Sequence, residues 1–303
     1  MIRKVSHIGQ PIPEEGKDLI YRFLYEIINK RRYLLINNNE LFRIVNCDET
    51  AVYYENPDFY TIDIKGHKEI IINTDGNESK KISVLLSIAA NGNKLPPFLI
   101  FKGAEEKTVE KNLNKNINIL NKKIFAVCQK KAWYDTNIFK KWYEKVFLNY
   151  EKNIIKKPCL LVLDKSPAHC NNEIIKEFEK NNTYYTFIPG GLTRYLQPLD
   201  LGINMPFKKA LKKEYLLSKA NILEQDIKIS INLNDQRNKI INIISKILWE
   251  NENTIKKESI INSFYKSGIS LPQDGSKDEE WNFPETIINN YTIYDEFENK
   301  IKK

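Results

Sequence analysis

Three aspartates stand where a free carboxylate is expensive. Asp48 lies in FRIVNCDET, Asp164 in CLLVLDKSPAH and Asp200 in GGLTRYLQPLDLGIN. Asp48 and Asp164 each close an apolar run, 41–45 and 160–163, that reads as a buried strand. An ionised carboxylate at the mouth of such a strand needs a partner. Three of them suggest convergence on a cation. Mg²⁺ takes a few hard carboxylate oxygens and keeps several waters. Two such ions can hold both the attacking and the leaving oxygen of a phosphodiester. The chemistry suited to these residues is therefore metal-dependent phosphoryl transfer on nucleic acid. The plainer alternative makes each Asp a turn former or helix cap.

Other chemistries have less support. There are three histidines, His7, His67 and His169, too few for a His-rich zinc site. Only His169, five residues after Asp164, is close to the aspartates. It either orients a carboxylate, contacts phosphate, or bonds local backbone at a helix start. Glu49 follows Asp48, and a continuing strand would turn it to the opposite face, where a structural role as a salt-bridge partner is expected. Cys47, Cys128, Cys159 and Cys170 are scattered with no CxxC pair, which argues against structural zinc and a disulfide framework. No GxxxxGK[ST] loop and no GxGxxG after a strand occur, so nucleotide cofactors lack a motif.

The elements that must position these groups can be read from periodicity. An amphipathic helix is expected over 14–30, with Leu19, Ile20, Phe23, Leu24, Ile27 and Ile28 on one face and a basic end at Lys30, Arg31 and Arg32. Strands are expected at 60–64, 69–72, 82–90 and 97–101, with Asn91-Gly92 as a two-residue hairpin signal. The Asn-rich stretch 104–123 reads as a loop or short surface helix. Asp135 and Thr136 cap a helix whose stripe is Ile138, Phe139, Trp142, Tyr143, Val146 and Phe147; at this spacing the stripe is core material rather than a base-stacking platform. A helix over 172–180 and a strand over 184–188 follow the Asp164 strand. Over 205–215, Phe207, Leu211 and Tyr215 share one face, and Lys208, Lys209, Lys212 and Lys213 another. Those lysines either contact phosphates or form a solvated face. Residues 223–234 read as a polar linker before two more helices, 236–249 and 254–266, the second stopped at Gly268.

At 303 residues, with 42% hydrophobic residues, the chain can bury a sizeable core. No apolar run is long enough for a membrane span, and the N-terminus lacks the apolar stretch of a signal peptide. The net charge is +8, but residues 274–303 hold eight acidic and four basic residues, so the rest carries +12. A basic body suits a polyanion. The heavy use of Asn, Ile and Lys throughout offers a compositional explanation for the same charge.

Taken together, NCDET (46–50), NGNKLPPFLIFKG (91–103), LLVLDKSPAH (160–169), IPGGLTRYLQPLDLGINMPFKKAL (188–211) and SFYKSGISLPQDGSKDE (263–279) resemble the catalytic domain of pogo/Tigger-type DDE transposases, relatives of centromere-binding protein B. The resemblance implies an α/β fold, an RNase H-like mixed sheet flanked by helices, with a small helical C-terminal extension. It divides the chain into a helical lead-in (1–40), a DDE endonuclease domain (41–220), the extension (221–280) and an acidic tail (281–303). It implies that Asp48, Asp164 and Asp200 bind Mg²⁺ or Mn²⁺ and are catalytic, with Asp rather than Glu in third place. It also implies DNA as partner, a nuclear location and no membrane. Lys165, His169, Lys208, Lys209, Lys212 and Lys213 become candidate DNA contacts. Where the family commonly has Asn or Ser after the second Asp, this chain has Lys165, which either neutralises the carboxylate or reaches a phosphate. Helix-turn-helix domains precede the catalytic domain in the family. Here Met1 leads almost directly into it, so the chain reads as a truncated copy, a fragment, or a partner for a separate DNA-binding subunit; a homo-oligomer is the other expected partnership. Two rival readings stand beside the nuclease: a domesticated, non-catalytic DNA-binding or chromatin protein, and a nuclease acting on RNA hybrids.

Overall fold

Near-continuous apolar runs through the middle of the chain, buried on successive residues in β2, β3 and β5 alike, form one sheet with both faces covered. The computed structural model describes residues 14–54, 80–105, 107–119, 123–132, 134–224, 232–251 and 253–277. The strands expected at 60–64 and 69–72 and the tail at 281–303 lie outside them.

Helix α1 (Glu14–Tyr33) runs three residues past the expected end, and a 3₁₀ segment (Asn38–Arg43) leads into β1 (Ile44–Tyr53). The strand does not end before Asp48 but passes through it, because β1 pairs antiparallel with β2 (Lys81–Ala89) from Val45↔Ala89 to Tyr53↔Lys81. Beyond Cys47 burial alternates along it, with Thr50 and Val52 buried and Glu49 and Tyr53 exposed, as a half-buried strand requires. Next comes β3 (Phe98–Lys102), also antiparallel to β2. Asn91-Gly92 does make the turn, with Gly92 at φ 94° and its N–H donating to the Ala89 carbonyl. The connection is nonetheless longer than two residues. After the isolated bridge Ile88↔Lys94, Pro96 and Pro97 have no N–H to extend the ladder.

Residues 104–123 contain a twelve-residue helix, α2 (Thr108–Ile119), that buries Leu113 and Ile117. The strand after it, β4 (Phe125–Gln129), was not foreseen. Helix α3 (Thr136–Trp142) begins at Asp135, whose side chain accepts the Ile138 N–H, and continues through π-type turns to Ile155. All six residues of its expected stripe are buried, and the Trp142 indole donates to Ser87 Oγ at 3.0 Å. The chain goes on through β5 (Leu160–Asp164), α4 (Asn172–Lys180), β6 (Tyr184–Ile188), the short helices α5 (Thr193–Leu196) and α6 (Pro198–Gly202), and α7 (Asn204–Glu224). It closes with α8 (Leu233–Ser245) and α9 (Lys257–Lys266).

The strand order is β4-β3-β2-β1-β5-β6. Only β2 runs against its neighbours; β1–β5, β5–β6 and β3–β4 are parallel. Five strands ordered 3-2-1-5-6 with the second reversed form the RNase H-like mixed sheet, here extended at one edge by β4. One face packs on α3 and α4 through Phe139, Trp142, Phe147 and Phe178. The other packs on α1, α2, α6, α7, α8 and α9 through Leu24, Leu199, Phe207, Ile244 and Phe264, among others. Residues expected as a C-terminal extension thus share the core of the sheet. Arg31, fully buried in α1, ties down the segment after α9 by donating to the carbonyls of Ile269 and Leu271.

The outer edge of β4 is closed by α2: the Cys128 N–H donates to Glu110 Oε2 at 2.7 Å, and Asn114 Nδ2 donates to the Ala126 carbonyl at 3.1 Å. At the other edge, Lys30 of α1 donates to the Tyr185 carbonyl, and Thr186 Oγ1 donates to Glu26 at 2.7 Å.

Candidate catalytic carboxylate site

The parallel pairing of β1 and β5 sets the frame. Their register runs Ile44↔Leu160, Val45↔Leu161, Asn46↔Val162. Two residues further on in both strands stand Asp48 and Asp164.

The third aspartate is brought in by buried amides. Asn46 Nδ2 donates to the Val162 carbonyl at 2.9 Å and to Gln197 Oε1 at 3.2 Å. Gln197 Nε2 in turn donates to the Cys47 carbonyl at 3.1 Å. Both amide side chains are fully buried. Each such bond contributes about 1 kcal/mol net, and leaving one partner unpaired costs about 1–3 kcal/mol. This bracket presses the turn before α6 onto β1. Pro198 at the first helical position suits the turn, since its missing N–H would have gone unused there. Gly202 lets α6 approach α9: a Cβ there would sit 3.0 Å from Ser263 Cβ. Asp200 is thereby carried to the β1 side of the sheet.

Asp48 and Asp200 meet at Asn204, whose Nδ2 lies 2.7 Å from Asp48 Oδ2 and 2.9 Å from Asp200 Oδ1. Burial pushes the Asp48 carboxyl up to about 7; the Asp200 charge and, more weakly, that of Asp164 act in the same direction, against the Asn204 bond. Asp164 is held differently. His169 Nδ1 lies 2.5 Å from its Oδ1 and 3.1 Å from its carbonyl oxygen. Both are acceptors, so Nδ1 carries a proton, and in the neutral ring Nε2 accepts from the Tyr134 hydroxyl at 2.6 Å. Burial holds the Tyr134 hydroxyl well above its usual range, so it stays a donor.

His169 is only 2% exposed, packed against Phe139 and Tyr134. That corrects its place among the DNA contacts: it faces a carboxylate and a phenol, with no surface for a phosphate. Glu49 does point away from Asp48, but it accepts from Ser83 Oγ at 2.8 Å rather than from a cation. Lys165 is exposed beside Asp164. Lys208, Lys209 and Lys212 line a shallow groove of about 390 Å³ with Asp200, Asn204 and Met205, while Lys213 is exposed outside that lining. Asn46, Gln197, Asn204 and Tyr134 were missed by sequence reasoning. The one local signal was Asn46 itself, a polar residue inside an apolar strand that must find a partner.

Among the described residues, no three His, Cys, Asp or Glu side chains are gathered so that they could hold a metal ion. The arrangement supplies a reason: His169 holds the Asp164 carboxylate, while Asn204 holds the other two. The donors themselves fit a hard divalent cation. Carboxylate oxygens are the ligand type Mg²⁺ and Mn²⁺ select, the Asp48 charge is opposed by its two neighbours, and Asn204 Oδ1 is buried without a hydrogen bond.

The DDE superfamily endonuclease family model matches residues 79–264. "Pogo transposable element with KRAB domain" from Homo sapiens is 26% identical over 283 residues, covering 92% of this chain and 43% of that protein. Its Mus musculus counterpart is 25% identical over the same length, covering 92% and 44%. The chain thus spans under half the length of these relatives. Among solved structures, the catalytic domain of Mos1 mariner transposase is 15% identical with a TM-score of 0.38, covering 86% of this chain and 98% of that one. The chain therefore belongs to the DDE superfamily endonuclease family and is similar over most of its own length to pogo-type relatives.

Proposed function

We propose that this chain is a transposase-derived, divalent-metal-dependent DNA endonuclease and strand-transfer domain, with Asp48, Asp164 and Asp200 as its metal-binding and catalytic carboxylates. The observation that carries the reading is the bridge from Asp48 through Asn204 to Asp200, with Asp164 at the matching position of the next strand. Mg²⁺ or Mn²⁺, when bound, supplies charge stabilisation to the attacking and leaving oxygens of the phosphodiester. The chain's own part is positional. β1 and β5 fix two carboxylates on one rigid frame, and the Asn46–Gln197 bracket fixes the third. The groove of Lys208, Lys209 and Lys212 begins beside Asp200 and suits the phosphates of a DNA strand. With DNA as substrate, the nucleus is the proposed place of action.

Lys165 favours the rival reading of a non-catalytic DNA-binding descendant, because it puts a cation next to Asp164 where the related motif has Asn or Ser. One assay separates the two. Purified chain is incubated with supercoiled plasmid in Mg²⁺ or Mn²⁺, beside an EDTA control. Metal-dependent nicking is expected. Binding without nicking in either metal would overturn the nuclease reading and leave the descendant.

A further inference from the structure

Asn204 is the first residue of α7 and is 8% exposed. Only the NH₂ end of a carboxamide can face two carboxylates, since its oxygen would add a third acceptor to the cluster. The 2.7 and 2.9 Å contacts with Asp48 and Asp200 therefore fix which way the amide lies. Its oxygen end is left buried with no partner. Ile203 is the residue whose carbonyl opens the helix by accepting the Phe207 N–H, so Asn204 lies past the cap position and its amide is committed to the carboxylates. Native proteins pair the large majority of buried polar atoms, and an orphaned oxygen beside two carboxylates is a donor waiting for a cation or its water. Asn204 and Asp200 line the same groove, so the buried oxygen lies just beneath its floor.

We propose that Asn204 is a positioning residue of the carboxylate site: its NH₂ ties Asp48 on β1 to Asp200 on α6 so that they meet a divalent cation as a preassembled pair, and its oxygen adds a third hard oxygen beside that pair. This rests on the metal-dependent reading above. Partners that orient metal ligands commonly change metal affinity by about 10- to 100-fold when removed. Helix α7 thereby couples the lysine groove to the carboxylates, because Asn204 and Lys208 are one turn apart on it.

The test is Mn²⁺ binding by the intact chain, read by calorimetry and by the electron paramagnetic resonance of free Mn²⁺, with thermal melts alongside. Asn204→Ala should bind Mn²⁺ about 10- to 100-fold more weakly than wild type. Asn204→Asp replaces the donor with a third charge, so its metal-free melting temperature should fall and Mn²⁺ should raise it by more than in wild type. Wild-type Mn²⁺ affinity in Asn204→Ala, or an Asn204→Asp melt that responds to Mn²⁺ as wild type does, overturns the proposal. If Asn204→Ala does not fold, Asn204→Asp decides alone by the same criterion. Failure of the underlying reading looks different: wild type itself would not bind Mn²⁺, or Asp48→Asn would bind it equally well.

Discussion

His169 and Asp164 are joined at 2.5 Å between Nδ1 and Oδ1, with Tyr134 and Phe139 packed on the imidazole, which is 2% exposed. The contact keeps Asp164 turned to one partner while Asp48 and Asp200 share another. Replacing His169 with Ala removes the support of Asp164 and strands the buried Tyr134 hydroxyl. A buried group left unpaired costs about 1–3 kcal/mol, or roughly 2–10 °C of melting temperature for a chain of this size. Thermal denaturation of His169→Ala in EDTA should show that loss. An unchanged melt would mean that the Tyr134–His169–Asp164 chain contributes nothing to stability.

Asp48 makes the metal-free fold sensitive to pH. In the fold it keeps its proton up to about pH 7, whereas in the unfolded chain it loses it near 3.9. Between those values the folded state binds more protons, so stability falls as pH rises from about 4 to about 7, and this contribution is constant above that. The full shift corresponds to about 4 kcal/mol; partial exposure of Asp48 reduces it to a few. Melts in EDTA at pH 5 and pH 8 should show wild type less stable at pH 8, with a flatter dependence in Asp48→Asn. Parallel slopes in the two proteins would show that Asp48 ionises without penalty.

Gln197→Ala should uncouple the third carboxylate. It removes the bond to the Cys47 carbonyl and one of the two acceptors of Asn46 Nδ2, which keeps the Val162 carbonyl; the unpaired Cys47 carbonyl costs about 1–3 kcal/mol. Nicking should fall more than folded content, since the Asp200 turn loosens while the sheet keeps its ladders. Full nicking in a destabilised Gln197→Ala would place Asp200 outside the chemistry.

The lysine groove predicts a salt signature. Each phosphate contact removed should lower the slope of log affinity against log salt by about one unit. Lys208→Ala, Lys209→Ala and Lys212→Ala are therefore expected to weaken DNA binding similarly on two unrelated duplexes, and Lys213→Ala to do less. A substitution that changes preference between duplexes would assign that lysine to base edges instead.

Lys165→Asn reads the departure beside Asp164. Weaker DNA binding with a shallower salt slope marks a phosphate contact. Stronger nicking with unchanged binding marks a cation that had been suppressing the carboxylate.

What could be read ahead of the structure was whatever repeats locally. The three aspartates were visible through their apolar flanks, and α3 through its stripe. Asp48 was misplaced at a strand end because the unbroken apolar run stops before it, while pairing with β2 carries the strand on to Tyr53. Residues 104–123 read only as a loop or short surface helix, and the burial of α2 was missed, because Val109, Leu113 and Ile117 repeat every four residues within an Asn- and Lys-rich background. β4 is a five-residue edge strand, short enough to pass for a loop. Asn46, Gln197 and Asn204 could not be assigned, because each gains its role from a partner about 150 residues away. No local pattern encodes a pairing at that distance.

Side chains from α1 and α2 occupy outward-facing backbone groups at both rims of the sheet, through Lys30 at Tyr185 and through Glu110 and Asn114 at Cys128 and Ala126. Strand rims left open act as templates for another chain. With these rims blocked, two copies gathering on one DNA molecule would have to join through helical surfaces or through the DNA itself. An assembly held through the DNA would come apart at high ionic strength with each subunit's sheet intact, and neither kind would seed cross-strand aggregation when concentrated.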